Sequence, residues 1–310
     1  MMAQAHDTVL LKPAVDALVT DDAGFYVDGT FGRGGHSRSI LQRLSPAGRL
    51  LAIDKDPEAI RAALNEFQND PRFTIEQSSF ANLASLTEQH GVKGSVSGVL
   101  LDLGVSSPQL DEAQRGFSFI QDGPLDMRMN PDEGISAAGW LASASEQEIA
   151  DVIYRYGEER FSRRMARAIV NERKLQPITS TLRLAEIVKQ ANPAWEKHKH
   201  PATRAFQAIR IHINKELDDL QVCLQQMLDV LAVGGRMVII SFHSLEDRLV
   251  KQFIAEQVKG DDFPMGVPVQ YAALNPRLKK IGKAIKADAD ELNVNPRARS
   301  AVMRIAEKIA

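Results

Sequence analysis

A glycine-rich segment near the start of the chain has the residue types of a cofactor-binding loop. It runs from Asp28 to His36 (DGTFGRGGH), after a short β-rich run and before a helical pattern. Glycines allow a sharp turn and let a ligand approach the backbone without a Cβ clash. The first turn of the following helix adds unpaired N–H groups. These features predict a site for a nucleotide-like cofactor.

The spacing of the glycines separates two classes of cofactor. A dinucleotide fingerprint requires the pattern G-x-G-x-x-G, and the position that would complete it after Gly32 and Gly34 is occupied by Ser37. The segment also begins with a carboxylate that belongs to the turn. Methyltransferases use this arrangement to hold the amino-acid part and the sulfonium of S-adenosylmethionine. We therefore predict that cofactor, and an NAD-dependent oxidoreductase is the less favoured alternative.

Two further carboxylates and one aromatic ring extend the predicted site. Asp54 ends a second apolar run, about 20 residues beyond the glycines, where a carboxylate can accept both ribose hydroxyls; its alternative role is a helix N-cap before Pro57. Asp102 ends a fourth apolar run, beside the expected position of the transferred methyl group. Phe80 follows the third run, and its ring is predicted either to flank the adenine or to pack in the core.

The elements that would position these residues alternate between strand and helix. Apolar runs predict strands at 24–28, 49–54, 73–77 and 97–103, and the helical period predicts helices at 36–44, 57–67 and 81–90. Residues 9–18, interrupted by Pro13, are predicted to form a short helix or an extended lead-in. This alternation indicates an α/β fold with a parallel sheet covered on both faces. Ligands bind such sheets at the carboxyl ends of the strands, where Asp28, Asp54 and Asp102 stand.

The pattern changes after the fourth strand. Residues 104–133 are rich in Gly, Pro, Ser and Asp, and the pattern at 135–199 predicts helices. We predict a core formed by residues 1–108 and 200–310, interrupted at 109–199 by a helical insert for substrate or RNA recognition. In the second part of the core we expect one helix at 201–231, a turn at Gly234–Gly235, a strand at 236–242, a helix at 245–257 and a closing strand at 298–306.

Composition limits the classes of function. The 310 residues carry a formal net charge of −2, so nucleic acid would have to bind through a local basic patch. The single cysteine, Cys223, excludes an internal disulfide and a cysteine-based zinc cluster, and no other metal site is expected. Neither a signal peptide nor a membrane-spanning run is recognisable, which predicts a cytoplasmic protein.

Two groups of basic residues are candidates for such a patch. The first lies on one side of a predicted helix in the insert and comprises Arg160, Arg163, Arg164, Arg167 and Lys174. Arg204 opens the next helix and could bridge the insert and the active site. The second group comprises Lys279, Lys280, Lys283, Lys286, Arg297 and Arg299. For either group, a solvated charged face is the alternative interpretation.

Longer motifs make the sequence specific. They are DGTFGRGGHS at 28–37, LLAIDKDP at 50–57, LLDLGVSSPQLD at 100–111, RGFSF at 115–119, GPLDMRM at 123–129, YGEERF at 156–161, HPATRAFQAIRI at 200–211, ISFHSLEDR at 240–248 and NPRARSAVMR at 295–304. On these motifs the chain resembles the RsmH (also called MraW) family of bacterial methyltransferases over almost its whole length. The resemblance implies a class I (Rossmann-like) methyltransferase core with S-adenosyl-L-methionine as cofactor. The implied cofactor contacts map onto Gly34, Gly35, His36, Asp54, Phe80, Asp102 and Gln109.

The resemblance also implies the target, which is the exocyclic N4 amine of a cytidine in small-subunit (16S) ribosomal RNA, either naked or in the assembled subunit. Because the amine lone pair is delocalised into the ring, the enzyme must align the nitrogen and offer acceptors to its hydrogens. The residues predicted to do so are Asp102, Ser106, Ser107 and His243, with Phe117 and Phe119 as candidates for base stacking. The alternative roles are loop capping for the two serines, a structural role for His243 and core packing for the two phenylalanines. A methyltransferase for another nucleic acid and a non-catalytic RNA-binding assembly factor stay as alternatives. A homodimer is left open.

Overall fold

The computed structural model describes residues 8–194, 200–261 and 274–310. The chain forms two compact units: a core unit, Met1–Gly104 with Leu217–Ala310, and an inserted unit, Val105–Glu216. The inserted unit begins close to the expected residue 109 but ends later than the expected residue 199. The reason is that the helix Ala202–Asn214 packs against helices of the insert. None of the helices described is long and apolar enough to cross a bilayer.

One seven-stranded sheet organises the core unit. Its strands are β1 Phe25–Asp28, β2 Arg49–Asp54, β3 Phe73–Gln77, β4 Val96–Asp102, β5 Leu231–Ser241, β6 Leu278–Lys280 and β7 Val302–Lys308. Their order is β3-β2-β1-β4-β5-β7-β6, with β1 to β5 parallel and β7 antiparallel to both of its neighbours. The strand order reverses between β1 and β4, and ligands bind α/β sheets at such a reversal.

Helices cover both faces of the sheet. In the core unit they are α1 Leu11–Leu18, α2 Gly35–Arg43, α3 Pro57–Phe67, α4 Leu83–Gln89, α11 Glu216–Val230, α12 Ser244–Lys259 and α13 Ala289–Val294. Successive strand residues point to opposite faces. Tyr26 and Leu50 accordingly pack with the apolar side chains of α1 to α3, whereas Val27 and Leu51 pack with those of α4, α11 and α12.

The inserted unit is helical and has its own apolar core. Its helices are α5 Ser107–Asp111, α6 Ala137–Ser143, α7 Glu146–Gly157, α8 Ser162–Leu175, α9 Thr181–Ala191 and α10 Ala202–Asn214. Ile153 and Met165 are fully buried where α7 packs against α8. Asn214 holds the irregular segment before α6, because its side chain donates to Met127 O and accepts from Met129 N, both at 2.7 Å.

The predicted α/β class and Rossmann-like sheet are confirmed, and three local predictions differ from the structure. The single helix expected at 201–231 is wrong, because Lys215 adopts a left-handed conformation (φ 54°) and separates α10 from α11. The turn expected at Gly234–Gly235 lies inside β5, where the register against β4 shifts. The last strand begins at Val302 because Pro296–Ser300 forms a 3₁₀ turn.

Candidate active site

The glycine-rich loop crosses the ends of the two strands that flank β1. By register, β2 and β4 each extend two residues beyond Asp28. The loop lies in the gap between the ends of β2 and β4, because Gly29 N donates to Leu100 O at 2.9 Å and Phe31 N donates to Ile53 O at 3.1 Å. Both neighbouring strands therefore fix the position of the loop.

Two glycines of the loop are required by its geometry. Gly34 has a φ of +73°, and a Cβ there would lie 2.7 Å from the ring of Phe31. A Cβ at Gly35 would lie 1.8 Å from Thr8 Oγ1. Gly34 precedes the first turn of α2, so the conformation that only glycine adopts without strain also directs the chain into that helix.

Asp54, at the end of β2, anchors the loop through its carboxylate. Oδ2 accepts from Gly32 N at 2.7 Å, and Oδ1 accepts from Asp56 N at 2.9 Å. Each oxygen keeps a further lone pair, so a pair of ligand hydroxyls can still be accepted. Burial raises the pKa of Asp54 to about 6. The alternative role as N-cap of α3 belongs to Asp56, whose side chain accepts from Glu58 N.

Asp28, at the end of β1, is completely buried. Its Oδ2 accepts a hydrogen bond from Ser37 Oγ at 2.7 Å, and its Oδ1 accepts from Thr30 N at 3.2 Å. Burial outweighs these hydrogen bonds and raises the pKa of Asp28 to about 6. Ser37, the residue that breaks the dinucleotide pattern, thus has a direct partner in the first carboxylate of the site.

Asp102, at the end of β4, has a buried oxygen without a partner. Its backbone N–H donates to Thr30 Oγ1 at 2.6 Å, but Oδ1 makes no hydrogen bond with any residue of the described ranges. Burial and the nearby carboxylates of Asp28 and Glu246 raise the pKa of Asp102 well above its ordinary value. Asp102 is therefore a buried acceptor at the carboxyl edge of the sheet.

His36 lies beside this carboxylate in the first turn of α2. Its Nδ1 is 3.7 Å from Asp102 Oδ2, which is too long for a hydrogen bond. Burial lowers the pKa of His36 to about 4, so the imidazole is neutral at physiological pH and does not form an ion pair. In the part of the chain that the structure describes, its Nε2 has no hydrogen-bond partner.

These groups fit S-adenosylmethionine. Three carboxylates meet at one edge of the sheet: Asp28 is buried, and Asp54 and Asp102 are partly buried. Among the described residues none of them is paired with Lys or Arg. Buried negative charge is costly unless a cation compensates it. The cofactor carries a sulfonium, an ammonium and a ribose diol. The remaining lone pairs of Asp54 match the ribose diol, and the negative charge of the three carboxylates matches the two cationic groups.

Phe80 lies beside a group of hydrogen-bonded polar side chains that the sequence did not predict. The ring begins a short 3₁₀ helix after β3 and is partly buried against the core. Lys55 Nζ lies 6.0 Å from the ring centroid and 2.5 Å from Asp219 Oδ2, and Ser79 Oγ donates to the same oxygen at 2.6 Å. Asp219 was missed because it lies on α11, far along the chain from the segment it fixes.

His243 occupies the N-cap of α12. Its Nδ1 accepts from Glu246 N at 3.4 Å, while Glu246 Oε2 accepts from Phe242 N at 2.8 Å. His243 Nε2 lies 3.0 Å from Glu246 Oε1. This reciprocal arrangement gives His243 a structural task, and a catalytic role stays a prediction. Glu246 was missed, although the His-x-x-Glu spacing at a helix start is that of a capping box.

Ser106, Ser107 and Gln109 belong to the inserted unit. Gln109 is buried, and its Oε1 accepts from Ser106 N at 3.0 Å. Ser106 is the N-cap residue of α5 and Gln109 is the third residue of the helix, so these two residues form a capping box. Ser107 is the first residue of α5. The loop-capping alternative therefore applies to Ser106, and the catalytic and cofactor roles of these three residues stay predictions.

The basic face predicted for the insert lies on α8. Arg163, Arg164 and Arg167 are exposed, whereas Met165 is fully buried. Arg167 forms an exposed ion pair with Glu146 at 3.4 Å. Arg163 and Arg164 form no ion pair within the described ranges. Their guanidinium groups are therefore available to an anionic ligand.

Two further predicted arginines line a cleft of about 330 Å³ in the inserted unit. Arg160 stacks on the ring of Phe161, with its guanidinium carbon 4.5 Å from the centroid. Arg204 lies 3.8 Å from the buried carboxylate of Glu159. His200 contributes another wall of the cleft. Exposed cations and aromatic rings are the groups that bind phosphates and stack on bases.

The two phenylalanines suggested for base stacking differ in environment. Phe117 is only 6% exposed and belongs to the apolar core of the inserted unit, which agrees with its alternative interpretation as a core residue. Phe119 is partly buried, and its ring packs on those of His200 and Phe206 at centroid distances of 4.7 and 4.8 Å.

The sequence has close relatives. Ribosomal RNA small subunit methyltransferase H of Chromohalobacter salexigens is 61% identical over 305 residues, which cover 98% of this chain and 92% of the relative. The protein of the same name from Legionella pneumophila is 57% identical over 305 residues, covering 98% and 99%. A solved rRNA methylase structure from Streptococcus thermophilus is a distant likeness, with 12% identity, a TM-score of 0.39 and coverage of 96% and 92%. The profile of the MraW methylase family matches residues 3–309. The chain belongs to the MraW methylase family.

Proposed function

We propose that this protein transfers a methyl group from S-adenosylmethionine to the exocyclic N4 amine of a cytidine in small-subunit ribosomal RNA. The observation that carries the proposal is the set of three carboxylates without basic partners around the glycine-rich loop, of which Asp28 is buried and Asp54 and Asp102 are partly buried. Such a site favours a cationic cofactor, and the family is one of methylases. The relatives' names supply the class of RNA.

The bound cofactor supplies an electrophilic methyl group on a sulfonium. The chain's own residues bind and orient it: Asp54 accepts hydroxyl hydrogens, and the loop between β1 and α2 presents its backbone at a fixed position. The ring of Phe31 and the φ of +73° both require glycine at position 34, which fixes the course of the loop at the start of α2.

Asp102 is proposed to act on the amine. Its buried Oδ1 is free to accept a hydrogen from the exocyclic nitrogen, which draws the lone pair out of conjugation with the ring. A raised pKa also suits a carboxylate that takes up the proton released when nitrogen gains a methyl group. His36 is neutral and lies 3.7 Å away, so it does not stabilise the ionised carboxylate as a cation would.

The inserted unit is proposed to bind the RNA. Arg163 and Arg164 on α8 offer unpaired guanidinium groups, and the cleft bounded by Arg160 and Arg204 adds aromatic surface. RNA is bound mainly through backbone contacts and splayed bases, which these residue types serve. A ribosomal substrate supports the expected cytoplasmic location.

The experiment is a label-transfer assay. The protein is incubated with methyl-labelled cofactor and either naked small-subunit RNA or assembled small subunits, and the labelled nucleoside is identified after digestion. We expect label on the amine of cytidine. Label on another nucleoside, or on DNA alone, would refute the target, and a complete lack of transfer with both substrates would favour the non-catalytic assembly factor. Light scattering on the same samples determines whether the protein is a homodimer.

Two variants test the role of Asp102. Asp102→Ala should reduce label transfer at least a hundredfold, the usual range for a group that assists proton transfer. Asp151→Ala, on the exposed surface of α7, serves as the control and should keep full activity. Full transfer by Asp102→Ala, with both proteins folded, would exclude Asp102 as the acceptor.

A further inference from the structure

A basic segment forms the edge of the core sheet on the side away from β3. Between Arg277 and Lys286 the sequence contains Arg277, Lys279, Lys280, Lys283 and Lys286 and no acidic residue. We call residues 277–286 the edge segment. The whole chain has a net charge of −2, so this segment is a local exception to the charge balance.

The backbone of the edge segment is held by the neighbouring strand. Lys279 and Lys280 lie in β6, which pairs with β7. Farther along, Ile281 N donates to Ile305 O at 3.0 Å, and Ile285 exchanges two hydrogen bonds with Met303 at 2.9 and 2.8 Å. The side chains of Ile281 and Ile285 pack against the core. The lysines are therefore displayed from a fixed backbone.

The charged side chains of the segment point into solvent. Lys279, Lys280, Lys283 and Lys286 are all exposed, and none forms an ion pair within the residues that the structure describes. The nearest acidic residues in sequence are in or next to α13: Asp288 caps this helix, Asp290 lies in its first turn, and Glu291 accepts from Leu10 N at 2.6 Å. Glu307, which is opposite Lys279 in β7, forms an ion pair with Arg236. No acidic side chain of the described residues forms an ion pair with the four lysines.

Protection of a sheet edge explains only part of this pattern. Lysines on an edge strand discourage pairing with another chain, and this accounts for Lys279 and Lys280. Lys283 follows Gly282, whose φ is +65°, in the turn between β6 and Ile285, and Lys286 lies beyond that turn. Neither is part of β6, and Lys283 lies in a turn, although the bridge between Ile285 and Met303 brings Lys286 back to the same sheet edge. Lys283 and Lys286 share with the two lysines of β6 an exposed positive charge.

We propose that the edge segment is a second RNA-binding surface, which contacts the phosphate backbone of the ribosomal RNA substrate from the core unit. This inference rests on the proposed function for the identity of the RNA. Lysine suits the task because an ammonium binds phosphate as a point charge and tolerates variation in sequence and geometry. The surface would add affinity without selecting a nucleotide.

Salt dependence of RNA binding tests the proposal. The triple variant Lys279→Gln, Lys283→Gln, Lys286→Gln is compared with Lys12→Gln, Arg61→Gln, Lys93→Gln, which removes the same charge from α1, α3 and the loop after α4. Each phosphate contact contributes about 0.7 to the slope of log affinity against log salt for single strands, so the edge variant should have a slope shallower by about 2. Because of this difference in slope, a fourfold rise in salt concentration should weaken RNA binding by the edge variant roughly 20-fold less than it weakens binding by the wild type. The control should keep the wild-type slope.

The outcomes separate this inference from the proposed function. Equal slopes for the edge variant and the control, with equal melting temperatures, would overturn the inference even if the wild type methylates cytidine. If the wild type transfers no label but the edge variant still has the shallower slope on small-subunit RNA, the proposed reaction fails and the surface stands. Binding to phosphatidylserine vesicles that is lost in the edge variant, with the RNA slope unchanged, would assign the surface to membranes and overturn the inference.

Discussion

Replacing Asp28 by Asn should stabilise the protein and weaken cofactor binding at the same time. Asp28 is completely buried, and burial raises its pKa from 3.8 to about 6. A raised carboxyl pKa means that the folded state binds the proton more tightly than the unfolded state. The free energy of unfolding therefore falls as pH rises from about 4 to about 6, and it levels off above that window.

The size of the effect follows from the shift. About two pKa units correspond to about 3 kcal/mol at neutral pH. Asn fits the site, because its carbonyl can accept from Thr30 N and its amide can donate to Ser37 Oγ. Asp28→Asn should thus regain up to about 3 kcal/mol, or roughly 6 °C in melting temperature, for a chain of this size.

The measurement is thermal unfolding of the ligand-free protein between pH 4 and pH 8. The gain should be near zero at pH 4, where both proteins are neutral at this site, and largest at pH 8. Titration calorimetry with S-adenosylmethionine should show a loss of about tenfold in affinity, the size expected when one buried charge is removed near a cationic ligand. A variant that melts no higher than the wild type at pH 8, or a gain independent of pH, would refute the reasoning.

Asp54→Asn is the matched control. Its pKa is also raised to about 6, but both of its oxygens already accept backbone N–H groups, from Gly32 and Asp56. The Asn amide would face one of these donors and leave it without an acceptor, which costs about 1–3 kcal/mol. The control should therefore gain less stability than Asp28→Asn, although the pKa of both carboxyls is raised to about 6.

Three other effects are expected. Gly34→Ala should destabilise the protein by about 2–3 kcal/mol in thermal unfolding, because φ is +73° and the new Cβ meets Phe31. Gly91→Ala, with a similar φ but open space around it, should cost only about 1 kcal/mol. Arg210→Met should destabilise by about 3 kcal/mol in urea unfolding, because it leaves the buried carboxylate of Glu216 without its bidentate partner; a change below about 1 kcal/mol would contradict that. At pH 6, cofactor binding should release protons, since a cationic ligand favours the ionised carboxylates; calorimetry in buffers of different ionisation enthalpy measures this.

The sequence was most informative where local chemistry decides the structure. The strands β2 and β3 and the helix α3 have the predicted bounds, because apolar runs and Pro57 mark them directly. The break between α10 and α11 was not predictable from periodicity, since the helical pattern continues through Lys215. Lys215 nevertheless adopts a left-handed conformation, which is uncommon for a residue other than glycine and which the sequence pattern does not indicate.

The same distinction applies to the site. Asp28, Asp54 and Asp102 could be predicted because each ends an apolar run, and the topology of a parallel sheet brings such ends together. Asp219 could not, because its partner Ser79 is 140 residues away and neither lies in a recognisable pattern. Contacts between remote segments depend on how helices pack on the sheet, which is settled only in three dimensions.

The two units contain examples of carboxylates that differ in whether they have a partner of opposite charge, and this difference bears on function. In the inserted unit, Glu216 is buried but held by two hydrogen bonds of 2.8 Å from Arg210, so its charge contributes to a fixed structure. In the core unit, Asp28 is buried and Asp102 has a buried Oδ1, and neither carboxylate is paired with a cation among the described residues. A pair satisfied within the chain needs no ligand, whereas uncompensated carboxylates lower the stability of the free protein. A cation that binds near them removes this destabilisation, so cofactor affinity and the instability of the free core arise from the same side chains.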